Sequence, residues 1–150
     1  MADPVWTPLL VEERLAEAAD VLKRLPEGRI GGYFNTWPQI VPEFCDLVGR
    51  EPPQRRPPPP AAAAITRMEE SLGWTIGLDP VDARIVWLRA GGERWKTVCW
   101  KVGLARATAH QHWLYALCVI AWRLNGRRVP GKRSRQQVIA MVRAACSSAG

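Results

Sequence analysis

Apolar residues recur at helical spacing in several segments of the chain, and prolines and glycines separate these segments. In the first segment, Thr7 and Pro8 form a typical helix start, and apolar residues then follow at three- and four-residue steps up to Leu25. Pro26 and Gly28 end this predicted amphipathic helix. We find no convincing strand alternation and no internal repeat. The pattern therefore predicts an all-α protein.

Prolines dominate the region that follows. Residues 29–50 combine aromatic residues and prolines too closely for a long helix, and we predict only a short helix there, from Pro42 to Val48. Residues 51–60 contain six prolines in ten positions, which favours an extended polyproline II linker. A ligand for an aromatic groove is the alternative interpretation of this stretch.

Further helices are predicted after the linker. They cover residues 61–72, 80–90, 94–102 and 106–124, and Ser134 caps a last one. The predicted organisation is an N-terminal helical segment (1–50), the proline-rich linker (51–60), a helix-turn-helix domain (61–126), and a basic loop with a C-terminal helix (127–150). The fold class is thus a tri-helical helix-turn-helix core with an N-terminal helical arm and a basic C-terminal helix.

Residues 94–113 carry the pattern of a helix-turn-helix. Two helices that cross over a short turn need a residue that accepts a left-handed conformation, and Gly103 is placed to be that residue. Apolar residues flank the turn and a small residue lies where the helices meet: Val98, Val102, Leu104 and Cys99. Trp113 centres the inward stripe of the second helix, which we expect to pack on helix 80–90.

A second apolar face lies opposite that stripe. It consists of Tyr115, Cys118 and Trp122. An exposed face of this kind normally means that another element covers it. The N-terminal helix, residues 7–25, is the simplest cover, and a second subunit or RNA polymerase is the alternative.

The segment LDPVDARIVWLRAGGERWKTVCWKVGLARATAHQHWLYAL resembles the fourth region of bacterial sigma factors and related tri-helical regulators. The resemblance spans about residues 78–126 and includes a Leu-Asp-Pro start and the step from Gly103 into a long helix. Ala105 stands where that family usually has a capping Ser. The wider chain, with Tyr33, Phe34 and Trp37, resembles an uncharacterised domain family of alphaproteobacterial phages and prophages. Both resemblances imply a DNA-binding regulator.

The charge of +7 is divided unevenly between the two halves of the chain. Residues 1–79 hold 8 basic and 12 acidic side chains, whereas residues 80–150 hold 13 basic and only two acidic ones. Such an imbalance points to an anionic partner, most often nucleic acid, although a solvated basic face is the alternative. We expect double-stranded DNA as the partner.

Side chains suited to DNA recognition occur on and around the second helix of the motif. Arg106, His110 and Gln111 are the candidates for base contacts, because Arg pairs with guanine and Gln with adenine through two hydrogen bonds each. The candidates for phosphate contacts are Lys96, Lys101, Arg127, Arg128, Lys132, Arg133 and Arg135.

The sequence lacks the motifs that other classes of function require. No phosphate-binding Gly-rich loop and no recognisable nucleophile motif occurs, so we predict no catalytic residues and no cofactor. The four cysteines are widely spaced and His110 and His112 point to different helix faces, so we predict no metal site. No membrane span or signal pattern is evident, and we expect a cytoplasmic protein without membrane contact.

The sequence thus predicts a sequence-specific DNA-binding protein, a transcription regulator of a phage or prophage. One alternative is a small terminase subunit, which assembles as a ring and marks viral DNA for packaging. The other is a protein-interaction module that binds RNA polymerase or another host factor, or that self-associates, through its aromatic faces.

Overall fold

The computed structural model describes residues 5–25 and 58–149 of the chain. Within these ranges all regular secondary structure is helical, which confirms the all-α fold class. The six helices are α1 (Pro8–Arg24), α2 (Ala62–Trp74), α3 (Pro80–Ala90), α4 (Trp95–Val102), α5 (Arg106–Leu124) and α6 (Arg135–Ser148). The predicted helix at 42–48 and most of the predicted linker lie outside the described residues.

Side-chain caps fix three of the helix starts that the sequence predicts. The Thr7 hydroxyl accepts a hydrogen bond from the Leu10 N–H at 3.2 Å, and the Asp79 carboxylate accepts one from the Val81 N–H at 2.9 Å. At α6, Ser134 and Gln137 form a reciprocal capping box. Each cap satisfies backbone N–H groups that have no partner inside the helix.

Helix α5 forms the centre of the molecule. Ala109 and the whole run from Ala116 to Ala121 are buried. A helix that is apolar on most of its circumference has to be covered on several sides. No helix in the described ranges has the length and hydropathy needed to traverse a lipid bilayer.

Helices α1 and α3 cover one side of α5. Val11 and Leu15 of α1 and Val86 of α3 share a buried cluster with Ala116 and Leu117. A reciprocal pair of hydrogen bonds joins the residues just before α1 and just after α5. The Trp6 N–H donates to the Asn125 side-chain oxygen, and the Asn125 amide donates to the Trp6 carbonyl, both at 2.9 Å. The N-terminal helix therefore belongs to the same core as the rest of the described chain.

Helix α6 covers the opposite side of α5. Cys118 is buried against Val138, Ile139 and Val142 of α6, and Tyr115 and Trp122 pack around this cluster. The expectation that the N-terminal helix covers the face of Tyr115, Cys118 and Trp122 is therefore wrong. The segment between α5 and α6, residues 125–134, is long enough to return α6 to the helix that precedes it, and α1 packs on the other apolar face.

Candidate nucleic-acid interface

The turn between α4 and α5 has the backbone conformation that the sequence predicts. Gly103 adopts φ 72° and ψ 29°, in the left-handed region that side chains with a Cβ rarely adopt. Its N–H donates to the Cys99 carbonyl at 2.8 Å, and the Leu104 N–H donates to the same oxygen at 3.3 Å. These bonds end α4 and set the direction in which α5 begins.

Helix α4 is held against α3 and α5 by a compact apolar cluster. Val98 of α4, Ile85 of α3 and Ala109 of α5 are its fully buried members. The predicted flanking residues Val102 and Leu104 and the small residue Cys99 pack against them. The small side chain of Ala109 allows the two helices to approach closely.

The first two turns of α5, residues 106–111, form the exposed end of this helix. Arg106, Ala107, Thr108 and His110 are all exposed, whereas Ala109 points into the core. From Leu114 onward, α5 is enclosed by α1, α3 and α6. The exposed surface of α5 is therefore concentrated at its N-terminal end, with Arg123 as the exposed residue near its other end.

Aromatic rings hold the predicted base-contacting residue His110. Its imidazole lies 5.3 Å from the ring of Trp95 and 5.5 Å from the ring of Trp113, measured between centroids. The two tryptophans are themselves 5.5 Å apart in an edge-to-face arrangement, and the Arg89 guanidinium lies 4.7 Å from the centre of the Trp95 ring. Contacts of this kind restrict the orientation of the imidazole while leaving the side chain exposed.

Gln111 occupies a different environment from the other two predicted base contacts. It is half-buried and lines a groove between α5 and α6 with a volume of about 320 Å³. The residues that line this α5–α6 groove are Ala107, His110, Gln111, Leu114, Gln136, Ile139, Ala140 and Arg143. Gln111 therefore faces the groove, between the exposed end of α5 and the C-terminal helix.

The two lysines predicted to contact phosphate lie on α4. Lys96 is exposed. Lys101 is also exposed, and its ammonium nitrogen lies 3.4 Å from a carboxylate oxygen of Glu93. Because this pair is solvated, it holds Lys101 only weakly and leaves it able to exchange partners.

The remaining predicted phosphate contacts lie in the segment after α5 and at the start of α6. All five are exposed: Arg127, Arg128, Lys132 and Arg133, which we call the distal basic cluster, and Arg135, the first residue of α6. They follow the C-terminal end of α5, a helix of 19 residues and hence about 28 Å long. Arg127 lies 4.7 Å above the ring of Trp122 and Arg135 5.6 Å above that of Tyr115. Arg127 and Arg128 thus contact Trp122 near the C-terminal end of α5, whereas Arg135 lies beside Tyr115, closer to the exposed end of that helix.

A buried polar pair that the sequence pattern did not predict joins α3 to α5. The Nδ1 atom of His112 lies 2.5 Å from a carboxylate oxygen of Asp82, whose side chain is only 2% exposed. Asp82 comes three positions after the capping Asp79, and its place on the core side of α3 is the only sequence signal for this contact. His112 thus contributes to the contact between α3 and α5, whereas His110 lies against Trp95 and Trp113.

The carboxylates of the basic half are both engaged. Asp82 is buried against His112, and Glu93 pairs with Lys101. The 13 basic side chains of residues 80–150 therefore set the sign of the electrostatic potential on this part of the surface.

Comparison with known families places most of this region in one family. Residues 23–120 match the family described as "Domain of unknown function (DUF6362)". The chain belongs to this family. The match takes in α2, α3, α4 and most of α5, and hence the turn at Gly103 and the exposed end of α5, whereas α6 lies beyond the matched residues. No curated protein and no solved structure matched the chain.

Proposed function

We propose that the protein binds double-stranded DNA in a sequence-specific manner, with the exposed end of α5 in the major groove. One observation carries this proposal. Arg106, Ala107, Thr108 and His110 project together from the first two turns of α5, directly after the left-handed turn at Gly103. Helix-turn-helix proteins contact bases with the N-terminal residues of their second helix, and an α-helix with its side chains fits the roughly 12 Å width of the major groove.

Each side chain of this end has a distinct role in the proposal. Arg106 donates two hydrogen bonds to guanine, because its guanidinium matches the O6 and N7 acceptors. His110, oriented by Trp95 and Trp113, contacts the neighbouring base edge. Gln111 pairs with adenine from the side of the α5–α6 groove, and Lys96 contacts phosphate from α4.

The biological role that we propose is transcription regulation in a phage or prophage. The support is the sequence layout of residues 78–126, which resembles that of sigma-factor fourth regions, together with the excess of basic over acidic side chains in the same part of the chain. A positive surface supplies affinity that does not depend on sequence, and base contacts add the selectivity that a regulator needs.

A binding selection on randomised duplex DNA tests the proposal. The wild-type chain is expected to enrich one motif, and Arg106→Ala to lose preference at one or two base pairs, since a two-bond contact discriminates by about 1–3 kcal/mol. Arg84→Ala, an exposed arginine of α3, is the matched control and should enrich the wild-type motif. Equal enrichment by all three proteins, with unchanged thermal melts, would remove α5 from the major groove.

A specific observation also favours a second candidate, the protein-interaction module. Trp100 on α4 is 83% exposed, although tryptophan is among the most strongly buried residue types on average. Exposed tryptophans are enriched at protein interfaces. If Trp100→Ala abolishes binding to purified RNA polymerase while the wild-type chain selects no DNA motif, the interaction module replaces the DNA-binding proposal.

A further inference from the structure

We infer that α6 supplies part of the DNA-contacting surface, with Arg143 binding a backbone phosphate at the α5–α6 groove. This inference rests on the proposed function and deepens it, because it names a contact outside the helix-turn-helix itself. Arg143 lies 37 positions after Arg106 in the sequence, and it carries no motif that marks it for this role.

The packing of α6 fixes the position of Arg143. Val138, Ile139 and Val142 bury one side of α6 against Cys118 of α5. The face of α6 that lines the groove consists of Gln136, Ile139, Ala140 and Arg143, which share one side of the helix because residues three or four positions apart are neighbours on its surface. Since α6 is anchored through its buried side, its groove-lining face has a defined position beside α5.

The groove lies beside the exposed end of α5. Its α5 residues are Ala107, His110, Gln111 and Leu114, all from the first half of that helix. Arg143 is the only Lys or Arg among the residues that line the groove. The distal basic cluster, by contrast, follows the opposite end of a helix that is about 28 Å long. Arg143 therefore lines the same groove as His110 and Gln111, whereas Arg127 and Arg128 contact Trp122 near the other end of α5.

The chemistry of the groove suits a phosphate. The polar residues that line it are Arg143, Gln111, Gln136 and His110, and no Asp or Glu is among the lining residues. Guanidinium groups bind phosphate through paired, charge-assisted hydrogen bonds. Ala107 and Ala140, which also line the groove, have small side chains, and its volume of about 320 Å³ exceeds that of a phosphate group. The phosphate comes from the duplex that α5 contacts, and a free phosphate is the other possible source.

Salt-dependent titrations of the selected duplex test this inference. Arg143→Gln removes the charge and keeps a helix-compatible polar side chain, and Arg84→Gln is the matched control on α3. We expect Arg143→Gln to flatten the slope of log K against log salt by about 0.9 and to weaken binding roughly fivefold at 150 mM salt, which is the effect of one lost phosphate contact. Arg84→Gln should leave the slope and the affinity unchanged.

The outcomes separate the two proposals. If the wild-type chain binds the duplex and Arg106→Ala alters its selectivity, but Arg143→Gln keeps the wild-type slope and affinity, the inference about α6 is wrong and the proposed function stands. If the wild-type chain binds no duplex, the proposed function fails together with this inference. In that case, NMR shifts of the groove residues on addition of inorganic phosphate, lost in Arg143→Gln, would assign the groove to a free phosphate instead.

Discussion

Replacement of Gly103 by alanine isolates the contribution of the left-handed turn between α4 and α5. At φ 72°, a residue with a Cβ costs about 1–2 kcal/mol, whereas alanine recovers about 0.4–1 kcal/mol by restricting the unfolded chain. A Cβ built at this position meets no atom within 4 Å, so steric clashes add nothing. We therefore expect Gly103→Ala to lower the free energy of unfolding by about 1 kcal/mol.

Gly73 provides a matched control with the opposite sign. It lies inside α2, its φ is not positive, and a Cβ there also meets no atom within 4 Å. Gly73→Ala should therefore raise the free energy of unfolding by about 0.5–1 kcal/mol, because alanine is the better helix former. Urea unfolding, followed by tryptophan fluorescence, measures the free energy of unfolding of both variants. The values are compared when the variants and the wild type have equal m values. If Gly103→Ala proves as stable as the wild type, the turn does not have the conformation from which we argue.

Three further predictions concern stability. Trp122→Ala should lower the free energy of unfolding by about 2–3 kcal/mol, because the half-buried indole packs against α6 and donates to the Arg128 carbonyl at 3.0 Å. Trp100→Ala, at a side chain 83% exposed, should change it by less than about 0.5 kcal/mol in the same melts. Equal effects of the two substitutions would contradict the packing of α6. Burial raises the pKa of the Cys118 thiol from 9.0 to about 11, so the thiol loses its proton at lower pH in the unfolded chain than in the folded one. The free energy of unfolding should therefore fall between pH 9 and pH 11 by about 1.4 kcal/mol per pH unit relative to Cys118→Ala. Parallel pH profiles for the two proteins would refute this. Asp82→Asn should destabilise the fold by about 1.5–3 kcal/mol. A double-mutant cycle with His112→Gln should show a coupling energy above about 0.5 kcal/mol. A coupling energy of zero would exclude the pair as a stabilising contact.

Local chemistry made the helix boundaries predictable. The starts at Thr7, Asp79 and Ser134 depend on a side chain and an N–H group two or three residues away, and the stop at Gly103 depends on one residue's freedom at positive φ. Such features are contained in a few consecutive residues, so the sequence alone suffices to recognise them.

The assignment of helices to faces was not predictable in the same way. Helix α5 has two apolar faces, and both α1 and α6 have an apolar stripe that suits either of them. The choice depends on the combined packing of four helices and on how far the intervening segments reach. The sequence pattern therefore predicted that the face of Tyr115, Cys118 and Trp122 is covered, but the covering helix is α6 and not the expected α1.

The candidate site was predictable to the extent that it lies within one continuous segment. Arg106 and His110 are exposed where the helix-turn-helix pattern put them. The environment of Gln111 depends on α6, which is distant in sequence, and the position of Arg143 follows only from that same packing.

Amide hydrogen exchange of the full chain, with and without its selected duplex, tests the central claim most directly. The first N–H groups of α5 lack partners within the helix and Ala105 provides no side-chain cap, so they exchange readily in the free protein and report contact sensitively. We predict slowed exchange at residues 105–108 when the duplex is bound. Protection limited to residues 127–133, or none in a chain that binds the duplex, would contradict the placement of α5 in the major groove.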